Sequence, residues 1–277
     1  MTADAASWVE IRISGARKPE AVIAALLAEG SQGVQELGAE ILTWFPSVSS
    51  AERIREVVVA ADPAARVATT AASPHDWSDS RAAVKVQRLG RLTVAPPWLV
   101  GILDPSTTVV IDPAMAFGTG EHATTRGVIR LMQTISLKGS VVADLGAGSA
   151  ILSIAAAKLG ARRAVAIEMD PDASGNALDN IHSNGVGDRV HFIEGDAFVL
   201  LPLIAPVDAI LANILSSVLV NLLPVMRDSL APAGHAILSG MLREERATML
   251  NEIERGGWQV DREDTEDEWW SVLISRA

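Results

Sequence analysis

One stretch of the chain constrains its fold more strongly than any other. Residues 141–158 read VVADLGAGSAILSIAAAK, which predicts an apolar strand, a glycine turn and a helix of small residues. The next apolar run, residues 164–167, ends in Glu168. A strand, a helix and a second strand form a parallel βαβ unit. The stretch therefore predicts an α/β, Rossmann-like domain that holds a ligand at the carboxyl ends of its strands.

The same turn indicates which cofactor this edge holds. Dinucleotide-binding folds usually read GxGxxG and face a pyrophosphate, but here Ile151 stands at the place of the third glycine. Asp144, directly before Gly146 and Gly148, would sit badly beside a pyrophosphate and well beside the ammonium group of a methionine-type cofactor. Glu168 could accept hydrogen bonds from two ribose hydroxyls. These residues favour S-adenosylmethionine over NAD, while a dehydrogenase and a merely structural glycine turn stay open as alternatives.

Two later polar residues follow predicted strands and belong to the same edge. Asp196, in the segment FIEGDAF, could accept a hydrogen bond from the exocyclic amine of adenine, or it could be a solvated turn residue. Asn213 ends the apolar run VDAILAN, and a buried amide has to be hydrogen-bonded. We expect Asn213 to face the methyl group that is transferred.

A second distinctive segment, residues 112–125, reads DPAMAFGTGEHATT. Its final residues, Thr124 and Thr125, precede a helix predicted over residues 126–136. One of the two hydroxyls is expected to cap this helix, which leaves the other to contact a ligand. His122 is a candidate general base, and its alternative role is to stabilise the loop.

Composition excludes several classes of function. The chain has 277 residues, of which 49% are hydrophobic, as in a globular protein. It shows neither an apolar run of membrane-spanning length nor a signal peptide, and it has no cysteine, so we expect a cytoplasmic protein. Five scattered histidines predict no metal site. The net charge of −11 opposes binding to nucleic acid and favours a basic protein partner, although it could serve solubility alone. We expect a monomer.

The order of predicted elements divides the chain into two domains. Residues 1–72 read β-α-β-β-α-β, the order of a ferredoxin-like domain, and a polar linker over residues 73–83 leads to the cofactor domain, residues 84–277. The small domain shows no evident chemistry, and substrate selection and stabilisation are alternative roles for it. In the larger domain, residues 231–234 are predicted to form a turn. Residues 261–268 are predicted to form a solvated hairpin loop or, alternatively, an acidic rim near a basic substrate.

These segments resemble those of the ribosomal protein L11 methyltransferase family, class I methyltransferases that act on amino groups. The matching pieces are DPAMAFGTGEHATT (112–125), DLGAGSAILSIA (144–155), EMDP (168–171), NGVGDR (184–189), ANIL (212–215), LSGML (238–242) and EWW (268–270). The first piece is highly specific, whereas DLGxG alone marks only the class. The resemblance covers nearly the whole cofactor domain and extends more loosely to the N-terminal domain, which in the family binds the ribosomal protein.

The resemblance implies roles for individual residues. It implies that four residues contact S-adenosylmethionine: Thr125, Gly146, Glu168 and Asn213. Phe117 and Thr119 would border the methyl group and the incoming amine, which Asn213 would orient, so these three are the expected catalytic residues. The acceptors implied are lysine side chains and an N-terminal α-amine of ribosomal protein L11.

Other acceptors and two departures from the family pattern accompany this expectation. Another protein's lysines or a small-molecule amine could be methylated instead, or the protein could be an inactive scaffold that binds the cofactor. The family usually has a glycine where Ala150 stands and an aspartate where Glu168 stands. The alanine is expected only to tighten the start of the helix, and the glutamate keeps the carboxylate.

Overall fold

The computed structural model describes residues 8–31, 34–37, 40–46, 51–71, 85–112 and 120–277. Contacts divide the chain into two compact units, Met1–Ala83 and Val84–Ala277. The predicted linker, residues 73–83, lies outside the described residues. Among the helices within these ranges, none is long and apolar enough to cross a membrane.

The first unit has the predicted order of strands and helices. Its elements are β1 (Trp8–Ser14), α1 (Pro19–Ala28), β2 (Val34–Leu37), β3 (Glu40–Pro46), α2 (Ala51–Ala61) and β4 (Arg66–Ala71). The strands form an antiparallel sheet in the order β2-β3-β1-β4. Ile11 and Ile13, two residues apart on one face of β1, pack into a core with Leu26, Phe45 and Val58. This arrangement is ferredoxin-like and confirms the predicted fold of the small domain.

The second unit contains a small sheet and a large one. The small sheet is formed by β5 (Gln87–Leu89), β6 (Leu92–Ala95) and β7 (Thr108–Val110), and helix α3 (Ala123–Met132) follows later in the chain. The large sheet and its helices comprise β8 (Val141–Leu145), α4 (Ile151–Lys158), β9 (Arg163–Glu168), α5 (Pro171–Ser183), β10 (Val190–Glu194), α6 (Ala197–Leu203), β11 (Val207–Asn213), α7 (Ser216–Ser229), β12 (Leu230–Leu242), α8 (Arg246–Arg255), β13 (Trp258–Glu266) and β14 (Trp269–Arg276).

The strand order of the large sheet fixes where a ligand can lie. The order is β10-β9-β8-β11-β12-β14-β13, with β8 to β12 mutually parallel and β14 antiparallel to both of its neighbours, β12 and β13. From β8 the chain builds outward through β9 and β10, and it then returns to the other side of β8 with β11. This reversal between β8 and β11 is a topological switch point, where ligands bind at the carboxyl ends of the strands. The Rossmann-like prediction is confirmed.

Apolar side chains cover both faces of this sheet, because its parallel strands are nearly continuous apolar runs. On one face, Val142 and Ile237 pack in a core that includes Ile129 of α3. On the opposite face, Leu145 packs in a second core that includes Met226 of α7. The ends of β8 and β11 are therefore held by packing on two sides.

Three local predictions differ from the structure. Helix α3 begins at Ala123 and ends at Met132, earlier than the predicted 126–136. Residues 231–234 do not end a strand: they lie within β12, as an irregularity between the pairs Val207–Leu230 and Ala209–His235. Most of the predicted loop 261–268 is strand, since β13 extends to Glu266 and leaves only residues 267 and 268 for the turn.

Candidate cofactor site

The glycine turn after β8 exposes backbone at the carboxyl edge of the sheet. Gly146 and Gly148 have φ values of 70° and 50°, a left-handed conformation that L side chains rarely adopt. A Cβ added at Gly146 would lie 2.5 Å from Cγ2 of Ile214. The N–H of Gly146 donates to the carbonyl oxygen of Ile167 at 2.9 Å, which fixes the turn against β9. Glycine at position 146 thus leaves room for Ile214, and neither Gly146 nor Gly148 carries a side chain that would cover the peptide groups of the turn.

Glu168, at the end of β9, reaches back to the glycine turn. Its Oε2 accepts a hydrogen bond from the N–H of Gly148 at 2.8 Å. Its Oε1 accepts from the N–H groups of Met169 and Asp170 at 2.8 and 2.9 Å. A carboxylate has about four acceptor positions and three are occupied, so capacity for about one ribose hydroxyl remains. The change from aspartate to glutamate therefore keeps an oriented acceptor beside the turn.

Asp144 is a buried carboxylate with one oxygen satisfied. Its Oδ2 accepts hydrogen bonds from the N–H and the Oγ of Ser153, at 2.9 and 2.8 Å. Its Oδ1 has no hydrogen-bond partner among the described residues. Burial raises the pKa of Asp144 to about 7, against the opposing effect of the Ser153 bonds. A cationic group beside Oδ1 would restore the ionised form, so the orphaned oxygen fits an ammonium ligand.

Asn213 and Thr125 meet at the same edge. Nδ2 of Asn213 donates to Oγ1 of Thr125 at 3.4 Å. Thr125 is fully buried and Asn213 is half-buried. In the sheet, Leu211 lies opposite Asp144, so Asn213 projects two residues beyond that pair. The fold thus brings the end of β11, the start of α3 and the glycine turn to the switch point.

The cap of α3 is His122 and not a threonine. The helix begins at Ala123, and Nδ1 of His122 accepts from the N–H of Thr124 at 3.4 Å. The same nitrogen lies 2.7 Å from the hydroxyl oxygen of Thr124. The prediction that Thr124 or Thr125 caps the helix is wrong, because the helix begins before both residues.

The capping bond also bears on the candidate base role of His122. Because Nδ1 accepts a hydrogen bond, the proton of the neutral ring is assigned to Nε2. Burial, and then the charge of Arg126, lower the pKa of His122, whereas Glu268 raises it. The ring lies edge-on to Trp269, with centroids 4.8 Å apart and planes at 66°. Such a ring has no lone pair to spare, and these contacts favour the stabilising role.

The remaining predicted site residues follow the neighbouring strand β10 or lie outside the described residues. Asp196 is exposed and caps α6, its Oδ1 accepting from the N–H of Phe198 at 2.8 Å. This bond gives Asp196 a structural role, and its contact with adenine stays a prediction. Phe117 and Thr119 lie outside the described residues. Within the described ranges, no group of three or more histidine, aspartate and glutamate residues could hold a metal ion.

A cluster of charged residues beside the site was missed by sequence reasoning. Arg126 and Arg130 of α3 form ion pairs with Asp264 and Glu266 of β13. The acidic run 261–268 was visible as a signal, but Arg126 lies 140 residues before Glu266. Its pairing depends on the tertiary fold, which explains why the run was mistaken for a solvated loop.

Comparison with known proteins identifies the family. A family model described as ribosomal protein L11 methyltransferase (PrmA) matches residues 37–277. The protein of that name from Pelotomaculum thermopropionicum is 36% identical over 210 residues, which cover 75% of this chain and 68% of the relative. The one from Myxococcus xanthus is 33% identical over 258 residues, covering 90% and 86%. For the relative from Synechococcus sp. strain RCC307, 38% identical, the match covers 68% of this chain but 64% of the relative.

A solved structure agrees with these relatives. The crystal structure of a ribosomal protein L11 methylase from Lactobacillus delbrueckii subsp. bulgaricus matches with a TM-score of 0.63 and 29% identity, over 70% of this chain and 99% of that one. The fold, the glycine turn with its two carboxylates and the family match point to one conclusion. The chain belongs to the ribosomal protein L11 methyltransferase family, whose members are enzymes that use S-adenosylmethionine as the methyl donor.

Proposed function

We propose that the protein transfers methyl groups from S-adenosylmethionine to amino groups of ribosomal protein L11, on lysine side chains and on the N-terminal α-amine. The observation that carries the proposal is the meeting of Asn213 and Thr125 beside the glycine turn at the switch point. The names of the relatives support L11 as the acceptor. The net charge of −11 suits a basic protein substrate.

The chain offers a group for each part of the cofactor. Oδ1 of Asp144, which no described residue contacts by a hydrogen bond, would face the ammonium group of the methionine moiety. Glu168 would accept a hydrogen bond from a ribose hydroxyl, and Gly146 and Gly148 would let the backbone approach closely. Asp196, through the oxygen that does not cap α6, would accept from the adenine amine.

The protein itself has to align the amine with the methyl group and to exclude water from both. When bound, S-adenosylmethionine would supply a methyl group on a positively charged sulfur, which an amine can take by an in-line displacement that leaves a neutral thioether. A lysine amine has a reference pKa of about 10.4 and has to lose its proton first. A dry pocket favours the neutral amine, and the side-chain oxygen of Asn213 would accept one of its N–H groups. With the proton of the neutral His122 ring assigned to Nε2, the amine proton would leave to water.

The first experiment is radiolabelled methyl transfer to L11 from a strain that lacks the enzyme, with two variants in parallel. We expect Asn213→Ala to lower the transfer rate at least about hundredfold, because the amine loses its orienting group. Asn221→Ala is the matched control: Asn221 is exposed on α7 and donates to the carbonyl of Ser217 at 2.8 Å, away from the site. The control should retain wild-type activity.

The outcomes separate the proposed function from its alternatives. Full activity of Asn213→Ala would exclude the role of that residue. An unlabelled L11 with intact binding of S-adenosylmethionine would point to another protein lysine or to a small-molecule amine. Absence of transfer to any amine would indicate a scaffold.

We further propose that the protein acts as a cytoplasmic monomer without binding nucleic acid, as expected for modification of a free ribosomal protein.

A further inference from the structure

The start of α3 is tied to the C-terminal hairpin, β13 and β14. Arg126, the residue after Thr125, donates from Nε to Oε1 of Glu266 at 2.9 Å. Its Nη2 also contacts Oε1 of Glu266, and its Nη1 contacts the carbonyl oxygen of Glu121. The guanidinium of Arg126 therefore links Glu121, which directly precedes the cap of the helix, to Glu266 of β13.

A second arginine extends this tie along the helix. Nη1 of Arg130 lies 2.8 Å from Oε2 of Glu266, and its Nε donates to Oδ2 of Asp264 at 2.8 Å. The side chains of Arg126 and Glu266 are only 18% and 29% exposed, so water and salt screen their pairing less than that of a surface pair. Pairing with Arg126 lowers the pKa of Glu266, which stays ionised at neutral pH.

Other contacts hold the same helix turn from the same side. The Oγ of Ser239, on β12, donates to the carbonyl oxygen of Thr124 at 3.2 Å and lies 2.7 Å from the Oγ of Ser271 on β14. The His122 ring lies against Trp269 of β14. The helix turn that carries Thr125 is thus fixed by the hairpin and β12, while Asn213 comes from β11.

We infer that Glu266 and Arg126 are positioning residues that set the distance between Thr125 and Asn213 in the methyl-transfer site. This inference rests on the proposed methyl transfer. The hairpin contributes no group to the cofactor contacts proposed for β8 and β9. Breaking the ion pair between Arg126 and Glu266 should therefore lower the rate of methyl transfer more than the affinity for the cofactor.

The test compares two glutamates of the same strand. Glu266→Gln removes the ion pairs of Glu266 with Arg126 and Arg130 of α3, and Glu263→Gln is the matched control. Glu263 pairs with Arg246 of α8 through two contacts of 2.6 and 2.8 Å and accepts from Trp270 Nε1 at 2.7 Å, without touching α3. We expect Glu266→Gln to lower kcat at least about tenfold, with a change of less than about threefold in the Kd of S-adenosylhomocysteine, because small misplacements are costly in a reacting pair.

Glu263→Gln should keep kcat within about twofold of wild type. Equal loss in both variants, or wild-type kcat in Glu266→Gln, would overturn the inference. Arg126→Lys is a second variant that tests the same ion pair in case Glu266→Gln does not fold. It keeps the charge but lacks the fork that holds Glu121 and Glu266 together, so it should show the same loss of kcat.

A readout without substrate keeps this test separate from the proposed function. The NMR signals of the His122 ring should shift in Glu266→Gln and Arg126→Lys but not in Glu263→Gln. If the wild-type protein did not methylate L11 and this pattern appeared, the proposed function would fall and the positioning would stand. Unshifted His122 signals in all three variants would contradict the positioning.

Discussion

The carboxyl group of Asp144 combines full burial with an oxygen that has no hydrogen-bond partner among the described residues, and burial raises its pKa to about 7. Its ordinary value is about 3.9. Because the pKa is higher in the folded state than in the unfolded state, the protonated form of Asp144 favours folding of the free protein. This contribution to stability is fully present below about pH 4 and is lost as the pH rises through 7. An ammonium beside Oδ1 favours the carboxylate instead, so binding of the cofactor should release a proton at pH 6.

We therefore expect the affinity for S-adenosylmethionine to rise about fivefold between pH 6 and pH 7, as Asp144 ionises. Titration calorimetry in buffers of different ionisation enthalpy would measure both the affinity and the released proton. Asp144→Asn should bind more weakly and with no such proton release. The same pH dependence in the variant would show that another group is responsible.

Ala150 shows what the sequence could and could not predict at this scale. Acidic and amide residues directly after apolar runs predicted Asp144, Glu168 and Asn213 at strand ends, and the structure places all three there. The backbone of Ala150, with φ of 63°, is left-handed and caps α4. From the sequence, the alanine at this position was expected only to tighten the start of the helix. The residue type alone does not reveal that the backbone here has a positive φ. The glycine usual in the family suits that angle better.

Among the elements, α3 packs closely on β14 through Gly127. A Cβ at this position would lie 2.5 Å from the Oγ and 3.2 Å from the Cβ of the buried Ser271. We expect Gly127→Ala to lower the free energy of unfolding by about 1–2 kcal/mol, because the overpacking exceeds the gain in helix propensity. Urea denaturation of the purified protein would measure the change.

Gly175, in α5, provides the opposite case. A Cβ there would meet no atom within 4 Å. Gly175→Ala should therefore raise the free energy of unfolding by about 0.5–1 kcal/mol. If both substitutions stabilised the protein, the close approach of α3 to β14 would be refuted.

Element boundaries that depend on distant partners were the least predictable. Proline and glycine in residues 231–234 predicted a turn, but pairing with β11 at Leu230 and again from His235 onward carries β12 past them as an irregularity. Acidic residues predicted a loop over 261–268, but arginines of α3 and α8 neutralise Glu263, Asp264 and Glu266 within β13. In both places the local sequence pattern is present, but contacts with residues distant in the sequence determine the structure.

At the scale of the whole molecule, each compact unit has its own apolar core. A separate core is what independent folding requires. We expect a fragment of residues 84–277 to fold and to bind S-adenosylmethionine with an affinity within about twofold of the full chain, since the proposed contacts lie in that unit. Its kcat/KM for L11 should fall at least about tenfold if the small unit recognises the substrate.

Calorimetry and the methyl-transfer assay on the fragment would measure both quantities. The full chain at the same concentration is the control. Undiminished methylation of L11 by the fragment would leave the first unit a stabilising role only, which is the alternative left open by the sequence.

The strand order of the large sheet has a consequence for synthesis of the protein. Strand β14 lies between β12 and β13, although the ribosome makes it after both. A nascent chain can assemble the parallel strands β8 to β12 as they emerge, but one edge of β12 then keeps its N–H and C=O groups open to other chains. Strand β13 has no place in the sheet until β14 arrives. Strand β14, which is made after both of its neighbours, therefore completes this part of the sheet, and the hairpin reaches α3 only when translation has passed residue 276.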